Sequence, residues 1–181
     1  MKKHLRFLYL SYLSKPVQER LVYRAILRRR MTRIVELGVG NGLRATRMIE
    51  AASLWVPVDQ VQYTGVDLFE ARADSHERGL TIKQAHRLLQ ATGARVRLLP
   101  GDCLSALARA ANTLSNSDLV VISADQDADR LARAWFYLPR MLHAGSLVFL
   151  EEAVEGGVTA FRLVARQEID RLADPRNRWA A

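Results

Sequence analysis

Apolar positions along the chain follow two alternating rhythms. Val17, Leu21, Val22, Ala25 and Ile26 recur at helical spacing. They follow Ser14-Lys15-Pro16, which predicts a helix start with Ser14 as cap and Pro16 in the first turn. Arg33 to Leu37 (RIVEL) is a short β-branched run that ends at glycines, the pattern of a buried strand. Ala45, Met48, Ile49 and Ala52 then fall at i, i+3, i+4 and i+7, a helix. The alternation repeats with strands at Tyr63 to Leu68, Arg95 to Leu99, Leu119 to Ile122 and Leu147 to Leu150. Between them run helices marked by Ile82, Ala85, Leu88 and Leu89 (closed by Gly93), by Leu104, Leu107, Ala108 and Ala111, and by Leu131, Trp135, Leu138 and Leu142. Strands separated by helices at this spacing predict a doubly wound α/β fold, with a parallel sheet, right-handed crossovers and helices on both faces. Towards the end, Phe161, Val164, Ala165, Ile169 and Leu172 fit a helix, while Val158 to Val164 fit equally a sixth strand feeding a short helix. Asp174-Pro175 ends either one.

Composition narrows this picture. A chain of 181 residues, half of them apolar, suits one domain with one sizeable core. No apolar run approaches the ~18 residues of a membrane span. The opening MKKHLRFLYLSYL is basic then apolar, but Arg6 interrupts it and no small-residue cleavage site follows, so it reads as part of the fold. Cys103 is the only cysteine, which excludes an internal disulfide or a multi-cysteine zinc site and points to the cytoplasm.

Charge is unevenly spread. Residues 1–33 hold ten Lys or Arg and one acid, Glu19, a charge of +9 against +8 for the whole chain, so the remainder is nearly neutral. We therefore expect a basic helical segment over residues 1–31 packed on a core domain of residues 32–181. Such a segment suits a polyanion or an anionic substrate. The plainer reading is a solvated helix face, with Arg28 to Arg30 near a helix C-terminus. Phe7, Tyr9, Tyr12 and Tyr23 lie among these cations, but no nucleic-acid motif accompanies them.

In a doubly wound sheet, ligands bind at the carboxyl ends of the strands. The first end, Glu36-Leu37-Gly38-Val39-Gly40-Asn41-Gly42, runs from strand directly into helix, where glycines let the backbone turn and approach a ligand. Asp67 ends the second strand, placed to accept hydrogen bonds from ribose hydroxyls. Gly101-Asp102-Cys103 ends the third, where Asp102 either binds an adenine amino group or caps the following helix. Together the three ends form a nucleoside-shaped constellation.

From Arg33 to Glu152 the pattern resembles the class I S-adenosylmethionine-dependent methyltransferases. ELGVGNG is similar to that family's first motif, with G-x-G-x-G spacing instead of the G-x-G-x-x-G of dinucleotide-binding proteins. The resemblance implies S-adenosylmethionine as cofactor and a strand order 3-2-1-4-5. It implies a cofactor site formed by Glu36, Gly38, Gly40, Asn41, Gly42, Asp67, Leu68, Asp102, Cys103 and Ser123, with Asp67 on the ribose and Asp102 on the adenine edge. The stretch Ile122-Ser123-Ala124-Asp125-Gln126-Asp127 lacks the Asn/Asp-Pro-Pro-aromatic motif of many amino-group methylases. It is closer to the small catechol and caffeoyl-coenzyme A O-methyltransferases, yet Ser123 stands where they place a metal-ligating aspartate and Gln126 where they place a lysine. Glu151-Glu152 takes the place of their Asp-Asn only after a one-residue shift. With the ligand set incomplete, we expect no metal, and Asp125 or Asp127 capping the next helix. Only 29 residues follow Glu152, where the family closes with two antiparallel strands. That predicts an abbreviated edge or one covered by a second copy in a homodimer.

Candidate bases are Asp125, Glu151 and His76, the last in the polar stretch after strand two. His86 falls mid-helix and His143 at the wrong edge. The expected function is methyl transfer to a small or medium-sized acceptor, the basic segment favouring an anionic one. The alternatives are a cofactor-binding protein without transfer activity, and an RNA-binding or RNA-modifying protein that uses residues 1–33. Glycine spacing disfavours a nicotinamide dehydrogenase.

Overall fold

A computed structural model describes residues 2–72, 79–154 and 157–176. Five strands form a parallel sheet: β1 (Arg33–Leu37), β2 (Gln62–Asp67), β3 (Arg95–Pro100), β4 (Ser117–Ile122) and β5 (Leu142–Val154). β6 (Val158–Leu163) pairs antiparallel with β5, giving the order β3-β2-β1-β4-β5-β6. The expected 3-2-1-4-5 order is present, and Val158 to Leu163 is a strand feeding α7 (Arg166–Leu172). Among the described residues one antiparallel strand closes that edge where the family places two, which is the abbreviated edge expected from the sequence.

Alternating side chains in the strands divide the core between the two faces. Ile34, Tyr63, Leu119, Val121 and Phe149 face one way, against α1 (Lys2–Leu8), α2 (Arg20–Arg29), α3 (Leu43–Ser53) and α4 (Ile82–Gln90), which contribute Tyr23, Ile26, Met48 and Leu89. Val35, Leu37, Val120, Ile122 and Val148 face the other, against α5 (Cys103–Ala110), α6 (Ala128–Ala134) and α7, with Leu107, Trp135 and Ile169. β1 lies at the centre, in register with Tyr63 of β2 and Leu119 of β4 through Ile34.

Helix starts match their caps. Thr81 and Gln84 form a capping box on α4, Asp102 accepts from the Ser105 amide on α5, and Asp127 accepts from the Arg130 amide on α6. Ser14 corrects the expectation placed on it. The first helix runs on as a wide turn through Leu13, and the buried Ser14 hydroxyl donates back to the Leu10 carbonyl at 3.0 Å. Ser14 therefore closes that segment, and α2 begins only after a short 3-10 turn at Val17–Glu19. The stripe ending in Leu142 is also shorter than its periodicity suggests. α6 gives way to a 3-10 turn, Trp135–Arg140, which contains Pro139, and Leu142 opens β5.

Candidate functional site

The loop after β1 makes its turn with left-handed glycines. Gly38, Gly40 and Gly42 have φ of 92°, 57° and 75°, a region that side chains disfavour. A Cβ on Gly38 would also lie 2.6 Å from Ser123 Cβ and 2.7 Å from Asp125 Oδ1, so the loop after β4 packs directly on it. Among the described residues nothing lies within 4 Å of where a Cβ on Gly40 would be. Asn41 is exposed, and its side-chain oxygen accepts from the Leu43 amide at 3.0 Å, tying the loop to the start of α3.

Asp67, at the end of β2, is buried and holds this loop. One carboxylate oxygen accepts from the Val39 and Gly40 amides at 2.8 and 2.9 Å. The other accepts from the Phe69 amide at 3.1 Å and from the Arg72 guanidinium. Asp102, at the end of β3, accepts from the Ser105 amide and hydroxyl at 3.0 and 2.6 Å and from Arg130 at 2.6 Å. Burial would raise its pKa, but these bonds with Ser105 and Arg130 outweigh burial and hold the carboxyl below its ordinary value.

Asp67 and Asp102 line one cleft of about 320 Å³ with Leu68, Cys103, Asp125 and Gln126. Arg72 and Arg130 stand on its wall, each paired with one of the two aspartates. Its size falls in the range of small-molecule sites. Burial, then the charge of Asp102, pushes the Cys103 thiol up to about 11, so the thiolate is not the resting form.

Beneath the glycine loop lies a charged network. Glu36 is wholly buried, accepting from Arg44 Nε at 2.5 Å and from the Tyr63 hydroxyl. Arg44 also donates to the Gly38 carbonyl at 2.9 Å and to Glu151 at 3.1 Å, and packs over the Phe161 ring. Glu151 accepts further from Ser123 at 3.2 Å and from Thr159 at 2.6 Å. Burial raises the Glu36 pKa against the pull of Arg44 and Tyr63. For Glu151 the balance runs the other way: Thr159 and Arg44 overcome burial and lower it.

The ends of β1 to β4 thus bring together Gly38, Gly40, Asp67, Leu68, Asp102, Cys103 and Ser123, with Asp125 beside them. Glu36 lies under the loop with its carboxylate turned to Arg44 and Tyr63. His76 is outside the described residues. His86 is in α4, and His143 is in β5, paired with Asp118 at 3.1 Å. No group of three or more His, Cys, Asp or Glu among the described residues is placed to hold a metal ion. Arg44, Arg72 and Arg130 are not among the site residues expected from the sequence. Arg44 was accessible to pattern reading, since it precedes Met48 by four residues on the apolar stripe of α3. An arginine there, eight residues after a glutamate inside a buried strand, signals an internal ion pair.

No protein-family model matches the chain, and no curated protein matches it. Solved structures do. An O-methyltransferase from Bacillus cereus in complex with S-adenosylhomocysteine is 13% identical, with 99% of this chain and 78% of that chain covered and a TM-score of 0.60. The O-methyltransferase TomG from Streptomyces achromogenes, involved in tomaymycin synthesis and in complex with S-adenosylmethionine, is 16% identical over 87% of this chain and 68% of its own, with a TM-score of 0.56. A S-adenosylmethionine-dependent methyltransferase from Agrobacterium tumefaciens is 15% identical over 91% of this chain and half of its own length, with a TM-score of 0.55. At these identities the likeness is one of fold, and the fold is the Rossmann-like sheet of these methyltransferases.

Proposed function

We propose that this chain is a S-adenosylmethionine-dependent methyltransferase acting on a small or medium-sized acceptor without a metal ion. One observation carries the reading: on this fold, both strand-end aspartates line one cleft beside a glycine loop, and among the described residues nothing covers Gly40. These residues suit the cofactor chemically. Asp67 would hold the ribose hydroxyls, Asp102 with Leu68 and Cys103 the adenine, and Gly38, Gly40, Asn41, Gly42 and Ser123 the methionine part. Glu36 would position the loop from beneath, through Arg44.

When bound, the cofactor supplies an electrophilic methyl on a sulfonium, so the protein's part is alignment and, for a hydroxyl acceptor, removal of a proton. Asp125 is the favoured base. It is exposed, lines the cleft, and takes one hydrogen bond, from Gln126 at 2.9 Å. Glu151 is held ionised by Arg44 and Thr159, which weakens it as a base. That commitment, and the neutral Ser123 beside it, support metal independence, since a divalent cation would have to compete with a guanidinium for Glu151. The basic segment of residues 1–33 supports an acceptor carrying negative charge. The single cysteine supports a cytoplasmic setting.

Calorimetric titration with S-adenosylmethionine and S-adenosylhomocysteine tests this. Wild type is expected to bind both, and Asp67→Ala to bind about 100-fold more weakly through loss of two charge-assisted bonds. Absence of binding by a protein shown to be folded overturns the proposal. Binding without turnover in an acceptor screen, run with and without magnesium, leaves a cofactor-binding protein.

A further inference from the structure

The N-terminal segment turns part of its apolar surface away from the core. Leu10 is fully buried, and Phe7 and Tyr9 pack against the same cluster. Leu5, Leu8 and Tyr12, at i, i+3 and i+7, form a second stripe that faces solvent, continued by Leu13 and Val17. Leu5 is 74% exposed and Leu13 66%, too much for side chains shielded by their own fold. Cations share the segment. Lys3 and Lys15 are exposed and make no ion pair among the described residues. Arg24, Arg28 and Arg29 share a groove with the exposed Leu21. The one acid of the segment, Glu19, is turned inward to Tyr23 and Arg47.

We infer that this face docks on an anionic lipid bilayer. A row of exposed aliphatic side chains within a segment of net charge +9 is what an interfacial helix needs: apolar contact with the acyl boundary and attraction to acidic headgroups. Charge decides the occupant. A second copy seated on this face would bring two +9 segments together, and a nucleic acid would leave the leucines without a partner. No helix among the described residues is long and apolar enough to cross a membrane, and this docking is interfacial. The face is tied to the β5–β6 hairpin, because Gln18, next to Val17, reaches Thr159 at 3.5 Å, and Thr159 donates to Glu151.

Sedimentation with vesicles tests this independently of any methyl transfer. The probes are vesicles of phosphatidylcholine alone and of phosphatidylcholine containing about one-third phosphatidylglycerol. Wild type is expected to sediment with the anionic vesicles and not the neutral ones, and to be released as salt rises from about 0.1 to 0.5 M. Leu8→Glu with Leu13→Glu is expected to lose at least about tenfold in partitioning, with an unchanged circular dichroism spectrum, because both side chains are exposed. Lys3→Glu with Lys15→Glu supplies a second variant and loses binding through charge alone. Wild type remaining in the supernatant overturns the inference, as does equal sedimentation of the leucine variant. A wild-type dimer that the leucine variant splits, without vesicle binding, overturns it in favour of a self-interface. Salt-sensitive binding to RNA in place of vesicles overturns it in favour of nucleic acid.

Discussion

Arg44 and Arg72 each neutralise a carboxylate at the glycine loop, and their side chains are equally covered, each 10% exposed. Their surroundings differ. Arg44 lies under the loop and serves Glu36, Glu151 and the Gly38 carbonyl, joining β1 to the β5–β6 hairpin. Arg72 stands on the cleft wall, and the one partner of its guanidinium among the described residues is Asp67. Burial alone therefore does not separate a structural ion pair from an exchangeable one. Arg44 is held by three partners at once, whereas on the proposed function the ribose hydroxyls of the cofactor would take the place of Arg72 at Asp67.

The largest effect should come from removing Arg44. Arg44→Met leaves Glu36 buried with only the Tyr63 hydroxyl, and breaking such a pair costs about 3–5 kcal/mol. Urea unfolding should show that loss in the midpoint, with the slope unchanged. Adding Glu36→Gln should recover most of it, since the uncompensated charge is then gone. The pH dependence has a definite sign. In Arg44→Met the Glu36 pKa rises still further above its unfolded value. The variant's deficit should therefore be smallest below the ordinary glutamate range and should grow as pH rises through the folded value. A double variant no more stable than the single one would place the cost in lost packing against Phe161 instead.

A middle-sized effect of opposite direction is expected at Arg72. If the cofactor's ribose replaces its guanidinium on Asp67, then Arg72→Ala removes a competitor. The titration should show S-adenosylmethionine binding about fivefold tighter, corresponding to about 1 kcal/mol. Weaker binding would mean that Arg72 itself contacts the cofactor, and the contrast with Arg44 would then fail.

The fold was more legible than these pairs. β1 and β4 show as short β-branched runs because both of their faces are buried, and the glycines after Leu37 mark where β1 must turn. Asp67 and Asp102 are legible because one closes a strand run and the other follows the Pro100-Gly101 turn after the next. Other positions depend on contacts remote in sequence. Ser14 has the composition of a cap, yet its hydroxyl is taken by a helix whose length the periodicity did not reveal. Arg130 lies 28 residues from Asp102, and Glu151 is 107 from Arg44, so no local spacing relates them. The sequence makes Glu151 a strand-end candidate base, but it lies inside β5, and its hydrogen bonds come from β6, α3 and the β4 loop. The side of the ladder on which a carboxylate ends is written in the sequence. Which cation reaches it is set by packing.

Arg130 gives the smallest expected effect and the sharpest check on this distinction. Its side chain is 53% exposed and pairs with an Asp102 that already caps α5 through Ser105. Solvent screens such a pair, so Arg130→Ala should cost under about 1 kcal/mol and shift cofactor affinity by less than about threefold. Asp102→Ala removes the cap as well and should cost about 1 kcal/mol or more. Thermal melts of the two variants at low and high salt measure the difference. The Arg130 deficit should vanish at high salt, and the Asp102 deficit should persist because a cap bond to a backbone amide is local. Equal, salt-independent losses would show that the Arg130–Asp102 pair is built into the fold as firmly as Arg44 is. The cleft wall would then be rigid before any ligand arrives.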